Sequence, residues 1–166
     1  MSSSHTDVDV VIERAYREYA DMMYRIALTY MHNREDAEDV VHDAFVTYIE
    51  KAPRFPDDAH ERAWMGRVTI NKCLDAKRRH KIRQYAPLED ADAESASAVT
   101  DEVPSELHDA LDRLPDKLRV VTILHYFEGF SVTEVAVMTA STVSAVKMRL
   151  SRAREMLKKS LGGEAT

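Results

Sequence analysis

Six cations, Lys147, Arg149, Arg152, Arg154, Lys158 and Lys159, stand between Val146 and Leu161 against a single acid, Glu155. Among them, Val143, Val146, Leu150, Ala153 and Leu157 step by 3, 4, 3 and 4. That spacing predicts a helix with one apolar stripe and cations on its remaining faces. Guanidinium and ammonium groups held this way grip phosphates, and from a helix in a major groove they reach base edges. Upstream, Val132, Val135, Ala136 and Met138 recur at helical spacing behind Ser131, a good N-cap. The two segments read as a helix-turn-helix. A solvated basic helix of an ordinary bundle would share the stripe, so the chemistry must be weighed with the rest of the chain.

Two further charged stretches bear on it. From Arg62 to Arg83 there are eight Lys or Arg and one acid, Asp75, a second cationic patch separate from the first. Between Arg34 and Lys51 the pattern inverts. Glu35, Asp36, Glu38, Asp39, Asp43 and Glu50 surround a stripe of Ala37, Val40, Val41, Ala44, Phe45, Tyr48 and Ile49. A solvated acidic face is the bland reading; a docking surface for a basic partner is the sharp one. Catalytic chemistry is not in view. There is no nucleophile elbow, phosphate loop, HExxH or CxxC, and the seven histidines lack zinc spacing. Adjacent acids such as Glu38 and Asp39 diverge around a helix rather than converge on a substrate. The sequence thus predicts a non-enzyme with no metal and no cofactor.

The elements that would position these groups are helical throughout. Val8 to Met31 is a long amphipathic helix, broken at His32-Asn33, and Arg34 to Lys51 is the acidic helix. A proline-bounded loop displays Phe55, and Asp58 to Arg83 is the basic helix, with Trp64, Val68 and Leu74 on its buried side. Residues 85–109 hold eight acids and no Lys or Arg, which predicts a loosely held linker. Apolar spacing resumes at Leu107, Ala110 and Leu111. Pro115 opens a helix over Asp116–Phe127, Gly129 ends it, and the helix-turn-helix follows. The fold class is therefore all-α, with two small helical domains over 8–84 and 105–161 joined by an acidic flexible linker over 85–104. Net charge is −6, so any anionic partner must be met by local patches rather than by the whole surface. The lone Cys73, the absence of a signal-like N-terminus and the lack of any long apolar run fit a cytoplasmic protein.

Four segments carry a resemblance: DAEDVVHDAF (36–45), AWMGRVTINKCLDAKRR (63–79), LDRLPDKLRVV (111–121) and SVTEVA with AVKMRLSRAR (131–154). In order and spacing they resemble regions 2 and 4 of a bacterial sigma-70 family factor of the extracytoplasmic-function (ECF) class. The chain departs from the family pattern at His42, where Gln is usual, and at Ala140, where the turn usually has Gly. Ala145-Val146 replaces the usual Thr-Val. Without that glycine, either the turn avoids the left-handed region or Ala140 is strained.

The resemblance implies a factor that binds core RNA polymerase and directs it to −35/−10 promoters, without catalysis of its own. It implies core binding through Glu38, Asp39, His42, Asp43 and Phe45 at the β′ clamp helices, with the β flap as a second contact. It places Phe55, Arg67, Asn71, Lys72, Lys77, Arg78 and Arg79 at the −10 DNA, with Phe55 and Asn71 holding a flipped base. Lys147, Met148, Ser151 and Arg152 would face −35 bases or backbone, and Thr142, Ser144, Arg149 and Arg154 the phosphates. It further implies an anti-sigma factor as partner. Two rivals remain at this level: a stand-alone helix-turn-helix regulator, and a sigma mimic that only sequesters proteins. The acidic helix and the second basic patch weigh against the first, and the retained DNA-facing residues against the second.

Overall fold

His32 turns the chain back on itself: its φ of 64° places it in the left-handed region, and the first helix ends there. In the computed structural model, residues 3–51, 53–83 and 105–162 are described, with the side chains of 3–6 and 81–83 left aside. The N-terminal unit is α1 (Ser3–Met31), α2 (Arg34–Lys51) and α3 (Asp58–Arg83), each packed on the other two. The C-terminal unit is α4 (Ser105–Asp112), α5 (Asp116–Thr122), α6 (Val132–Met138) and α7 (Val143–Leu161). The described residues are all-α, as the periodicity predicts. The acidic linker lies outside them.

Helix starts follow local chemistry. Asn33 accepts from the Asp36 backbone N–H (2.8 Å) and Asp57 from that of His60 (2.9 Å). Ser131 does the same for Glu134 (3.1 Å) and Thr142 for Ala145 (3.0 Å). Each side chain satisfies an N–H that the first turn leaves without an intrahelical partner. α1 begins at Ser3, one turn or more before the expected Val8. The bounds of α2 and α3 are those read from the sequence.

Inside the N-terminal unit a buried carboxylate ties the three helices together. Glu61 of α3 accepts from the hydroxyls of Tyr19 (2.8 Å) and Tyr48 (3.0 Å) and from Arg14 Nη2 (3.1 Å). Burial resists its ionisation, but the hydrogen bonds from Tyr19, Arg14 and Tyr48 prevail and hold its carboxyl below the ordinary range. A buried charge needs such partners to be tolerated at all.

The expected single helix over Asp116–Phe127 is two pieces. α5 stops at Thr122, and Ile123–Phe127 winds as a π-turn. The Glu128 N–H donates five residues back to Ile123 O (2.9 Å), and Phe130 N–H reaches Leu124 O (3.0 Å) past Gly129 at φ 76°. Such a bulge re-aims the residues that follow it. Here it turns Glu128 and Phe130 toward the N-terminal unit.

The two units meet in one continuous core. Ile26, Met65, Ile70 and Cys73 share it with Val121, Leu124, Phe130 and Met138. They approach closely at Gly66 of α3. A Cβ there would fall 2.5 Å from the Met138 methyl and 3.6 Å from the Phe130 ring. Polar clusters close both ends of this seam. At one, Arg25 grips the Glu128 carboxylate through Nε and through Nη2 (3.0 Å), and Arg62 donates to the Glu128 carbonyl. At the other, Asp116 meets Arg119 (2.6 Å), His32 (3.5 Å) and Lys77 (3.7 Å).

Some expectations are corrected. Leu74 is 38 % exposed rather than on the buried side of α3, and Val143 is equally exposed because it opens α7 beyond the packed turn. Phe55 is half-buried, its ring 5.7 Å from Trp64. Cys73 is fully buried, and burial pushes its thiol up to about 12, so it stays protonated.

Two predictions follow from this geometry. Ala140 takes φ 51°, so it carries the strain that the missing glycine implied. Ala140→Gly is expected to stabilise the chain by about 1 kcal/mol, read as a raised urea midpoint with unchanged slope. His32 is pushed below its ordinary 6.5 by burial and by Arg119, against the pull of Asp116 and Asp112, with Lys77 also opposing its charge. A lowered histidine favours the neutral form, so its contribution is complete above the ordinary value and is lost as pH falls below it. His32→Asn, which keeps a residue tolerant of the left-handed region, should flatten the fall in stability between about pH 7 and pH 5. An unchanged slope in the variant would contradict this account.

Candidate nucleic-acid and partner interfaces

On α2, Ala37, Val40, Val41, Ala44 and Tyr48 are buried, which turns Glu38, Asp39, His42 and Asp43 to solvent together. Phe45 is not among them. It is 7 % exposed, with its ring on Tyr16 at 5.3 Å, so it shapes this surface from below. Between α2 and α3 lies a cleft of about 350 Å³, floored by Val40 and Ala76 and rimmed by Asp39, His42, Asp43 and Arg79. The structure therefore sets Arg79 beside the acidic face rather than among the other cations of α3. His80 Nε2 and Asp36 Oδ2, 3.5 Å apart, close one end.

Arg67, Asn71 and Arg78 share an exposed stripe of α3, with Leu74 between the last two. The stripe explains why Leu74 is not in the core: at positions 67, 71, 74 and 78 it repeats at helical spacing. The N-terminal end of the stripe adjoins an aromatic ladder. Phe55 lies against Trp64, and Trp64 against Tyr48 at 6.0 Å. Trp64 precedes Arg67 by three residues and so lies on a neighbouring part of the helix surface. Lys72 is half-buried. Arg78 is 3.6 Å from Asp75. Lys77 is drawn to the seam, 5.5 Å over the Tyr30 ring and in its ion pair with Asp116.

On α7, Val146, Leu150 and Ala153 are buried, and Ser144, Lys147, Met148, Ser151 and Arg152 are exposed. Met148, at 54 %, is the most exposed apolar side chain of the helix. Thr142 has its hydroxyl oxygen engaged as the N-cap. Two of the expected phosphate contacts are held inside the chain: Arg149 donates to Ser141 Oγ (2.8 Å), and Arg154 to the Tyr126 hydroxyl (2.7 Å). Lys147, Ser151 and Arg152 remain as an open polar face flanking Met148.

Sequence reasoning missed Arg25, Arg62 and Glu128. Glu128 is a lone acid in the turn between two apolar helices, and Arg25 stands among Met22, Ile26 and Thr29 on the buried face of α1. A charge on an apolar stripe was the available signal; its partner, a hundred residues away, was not.

The Sigma-70 region 2 family model matches residues 15–83, and the Sigma-70, region 4 model matches residues 105–157. The ECF RNA polymerase sigma factor SigM of Mycobacterium tuberculosis is 31 % identical over 150 residues, spanning 90 % of this chain and 76 % of its own. The RNA polymerase sigma factor SigV of Bacillus subtilis is 26 % identical over 135 residues, covering 81 % of each chain. Among solved structures, the sigma factor RpoE in complex with the anti-sigma factor NepR, from Bartonella quintana, aligns with a TM-score of 0.65. It covers 99 % of both chains at 19 % identity. CnrH in complex with the cytosolic domain of CnrY aligns at 0.63, over 95 % of this chain and 91 % of that one, at 23 % identity. At such identities these two speak to the fold alone. The fold, the two family matches and the SigM likeness agree: this chain belongs to the ECF sigma factors of RNA polymerase.

Proposed function

We propose that this sigma factor docks on core RNA polymerase through α2 and reads a promoter with α3 and α7. The observation that carries the reading is the open face of α7. Lys147, Met148, Ser151 and Arg152 are exposed opposite the buried Val146, Leu150 and Ala153, the disposition a major-groove helix requires. Lys147 and Arg152 supply donors for guanine, and Met148 an apolar surface for a thymine methyl. Ser144, Thr142, Arg149 and Arg154 border this face and serve phosphates once their internal partners are exchanged.

The −10 element falls to α3. Arg67, Asn71 and Arg78 form the exposed stripe, with Lys72 beside it and Lys77 after release from Asp116, while Arg79 stands apart beside the acidic face of α2. Phe55 and Trp64 offer stacking surfaces for unpaired bases, and Asn71 a hydrogen-bonding edge. Glu38, Asp39, His42 and Asp43, raised on Phe45, make the polymerase-facing surface, complementary to a basic helix pair such as the β′ clamp. The β flap is the corresponding partner of the C-terminal unit. Regulation by an anti-sigma factor is carried over from a similar fold, RpoE, which is solved in complex with the anti-sigma factor NepR. Working with polymerase places the factor in the cytoplasm; no helix among the described residues is long and apolar enough to cross a membrane.

Two outcomes test the assignment. Asp39→Lys with Asp43→Lys should abolish retention of core polymerase at physiological salt while helical content by circular dichroism stays unchanged. Surviving retention would move the docking surface elsewhere. In holoenzyme, Arg152→Ala should cost roughly 1–3 kcal/mol of discrimination between matched and scrambled −35 sequences. Lys158→Ala should weaken both about equally and reduce the salt slope by about one. Equal losses for Arg152→Ala would make it a phosphate clamp and leave base reading to Lys147 and Ser151.

A further inference from the structure

The exposed stripe of α3 reaches farther toward the start of the helix than Arg67. Stepping back by three and then by four residues leads to Trp64 and His60. Positions 60, 64, 67, 71, 74 and 78 thus form one line at helical spacing. His60 heads that line, in the opening turn of the helix, with its side chain 66 % exposed. Trp64 carries the aromatic ladder with Phe55, and Arg67 and Asn71 follow. The imidazole therefore stands at the head of the surface proposed for the −10 strand. One turn, about 6 Å, separates His60 from Trp64, which is the spacing of about two bases along a strand.

The ring is held in one direction. Asp57 Oδ1 accepts the His60 backbone N–H (2.9 Å) at the start of α3 and also lies 2.7 Å from His60 Nδ1. The backbone N–H and the ring of His60 together hold the Asp57 carboxyl below the ordinary range. A carboxylate can only accept, so Nδ1 carries the hydrogen, and in the neutral ring Nε2 is an acceptor alone. Nε2 lies on the side of the ring away from Asp57, open to a ligand. Asp57 and Asp58, both exposed, repel phosphates and favour a base edge over the backbone at this point. On the edge that faces the major groove, adenine and cytosine present an amine donor, whereas guanine and thymine present only acceptors. A fixed acceptor separates those two groups.

We infer that His60, aimed by Asp57, reads a base of the −10 strand by accepting a hydrogen bond from the exocyclic amine of adenine or cytosine. The inference rests on the −10 role of α3 proposed above and adds a specificity-determining residue to it. The base it reads lies about two positions along the strand from the one on the aromatic ladder. Guanine or thymine in that place sets acceptor against acceptor and leaves both without a partner.

The test uses holoenzyme assembled with the full chain, as the parent, as His60→Leu and as Asp57→Ser. Each is given a duplex pool randomised across the promoter at about pH 8, where imidazole is neutral, and the retained DNA is sequenced. The parent should favour adenine or cytosine over guanine or thymine at one −10 position by roughly fivefold, the worth of one hydrogen bond. His60→Leu should lose that preference and no other, with helical content by circular dichroism unchanged. Asp57→Ser keeps an N-cap and should weaken the same preference although His60 is still present. A second measurement replaces the favoured base by its analogue without the amine, purine for adenine or 2-pyrimidinone for cytosine. The parent should lose about fivefold in retention and His60→Leu nothing. Equal losses for both would overturn the inference, and so would a His60→Leu pool with the parent's preference intact. Full preference in Asp57→Ser would overturn the aiming by the carboxylate. A parent that selects no −10 sequence would sink the −10 role of α3 and this inference together. Selection by the parent that His60→Leu reproduces would sink this inference alone.

Discussion

A carboxylate stripped of water must find donors, and for Glu128 the donors stand on the far side of the molecule. Arg25 meets the carboxylate with two N–H groups and Arg62 donates to the Glu128 backbone carbonyl, from two helices that also share an apolar core with Phe130 and Met138. Removing one partner of such a group is strongly destabilising, because the other charge is left buried and alone. The apolar seam and the Asp116 cluster add to the contact but do not carry this all-or-none character, since Asp116, His32 and Lys77 are all partly exposed. The arrangement of the two halves is therefore conditional on Glu128 keeping its partners.

Backbone geometry delivers Glu128 to that place. A plain α-helix from Asp116 to Phe127 would aim the following residues about a third of a turn differently. The π-turn over Ile123–Phe127 inserts one residue, and Gly129 then reverses the chain in the left-handed region. His125 reinforces the reversal, its Nδ1 lying 2.8 Å from the Phe130 carbonyl. Phe130, fully buried, lands against Arg62 and over Gly66. At Gly66 a Cβ would fall 2.5 Å from the Met138 methyl, so the end of that flexible side chain would have to turn aside.

Region 2 follows the same logic on a smaller scale. Glu61 satisfies its charge within one unit, between Tyr19, Tyr48 and Arg14, and so fixes three helices permanently. Glu128 satisfies its charge between two units, and so fixes them only while they touch. The same chemistry serves rigidity in one case and a separable contact in the other. Meanwhile the exposed faces of α2, α3 and α7 are left for partners, each backed by a buried stripe that sets its direction.

The sequence by itself determined the helices, their order and the faces they expose. Apolar spacing, capping residues and the break at His32-Asn33 act within a few residues, so α2 and α3 could be bounded from local pattern. The charge faces of α2 and α7 follow from the same periodicity, while the demand placed on Ala140 came from the family resemblance. Tertiary structure decided what periodicity does not encode. It drew Lys77 toward the seam and Arg149 onto Ser141, set Arg79 beside the acidic face, buried Phe45 beneath Tyr16, and left Leu74 outside the core. It also paired Glu128 with Arg25 across 103 positions of sequence. Such pairings arise from the desolvation of specific charges brought together by packing, a cost that has no counterpart in the extended chain and hence no local signature in the sequence.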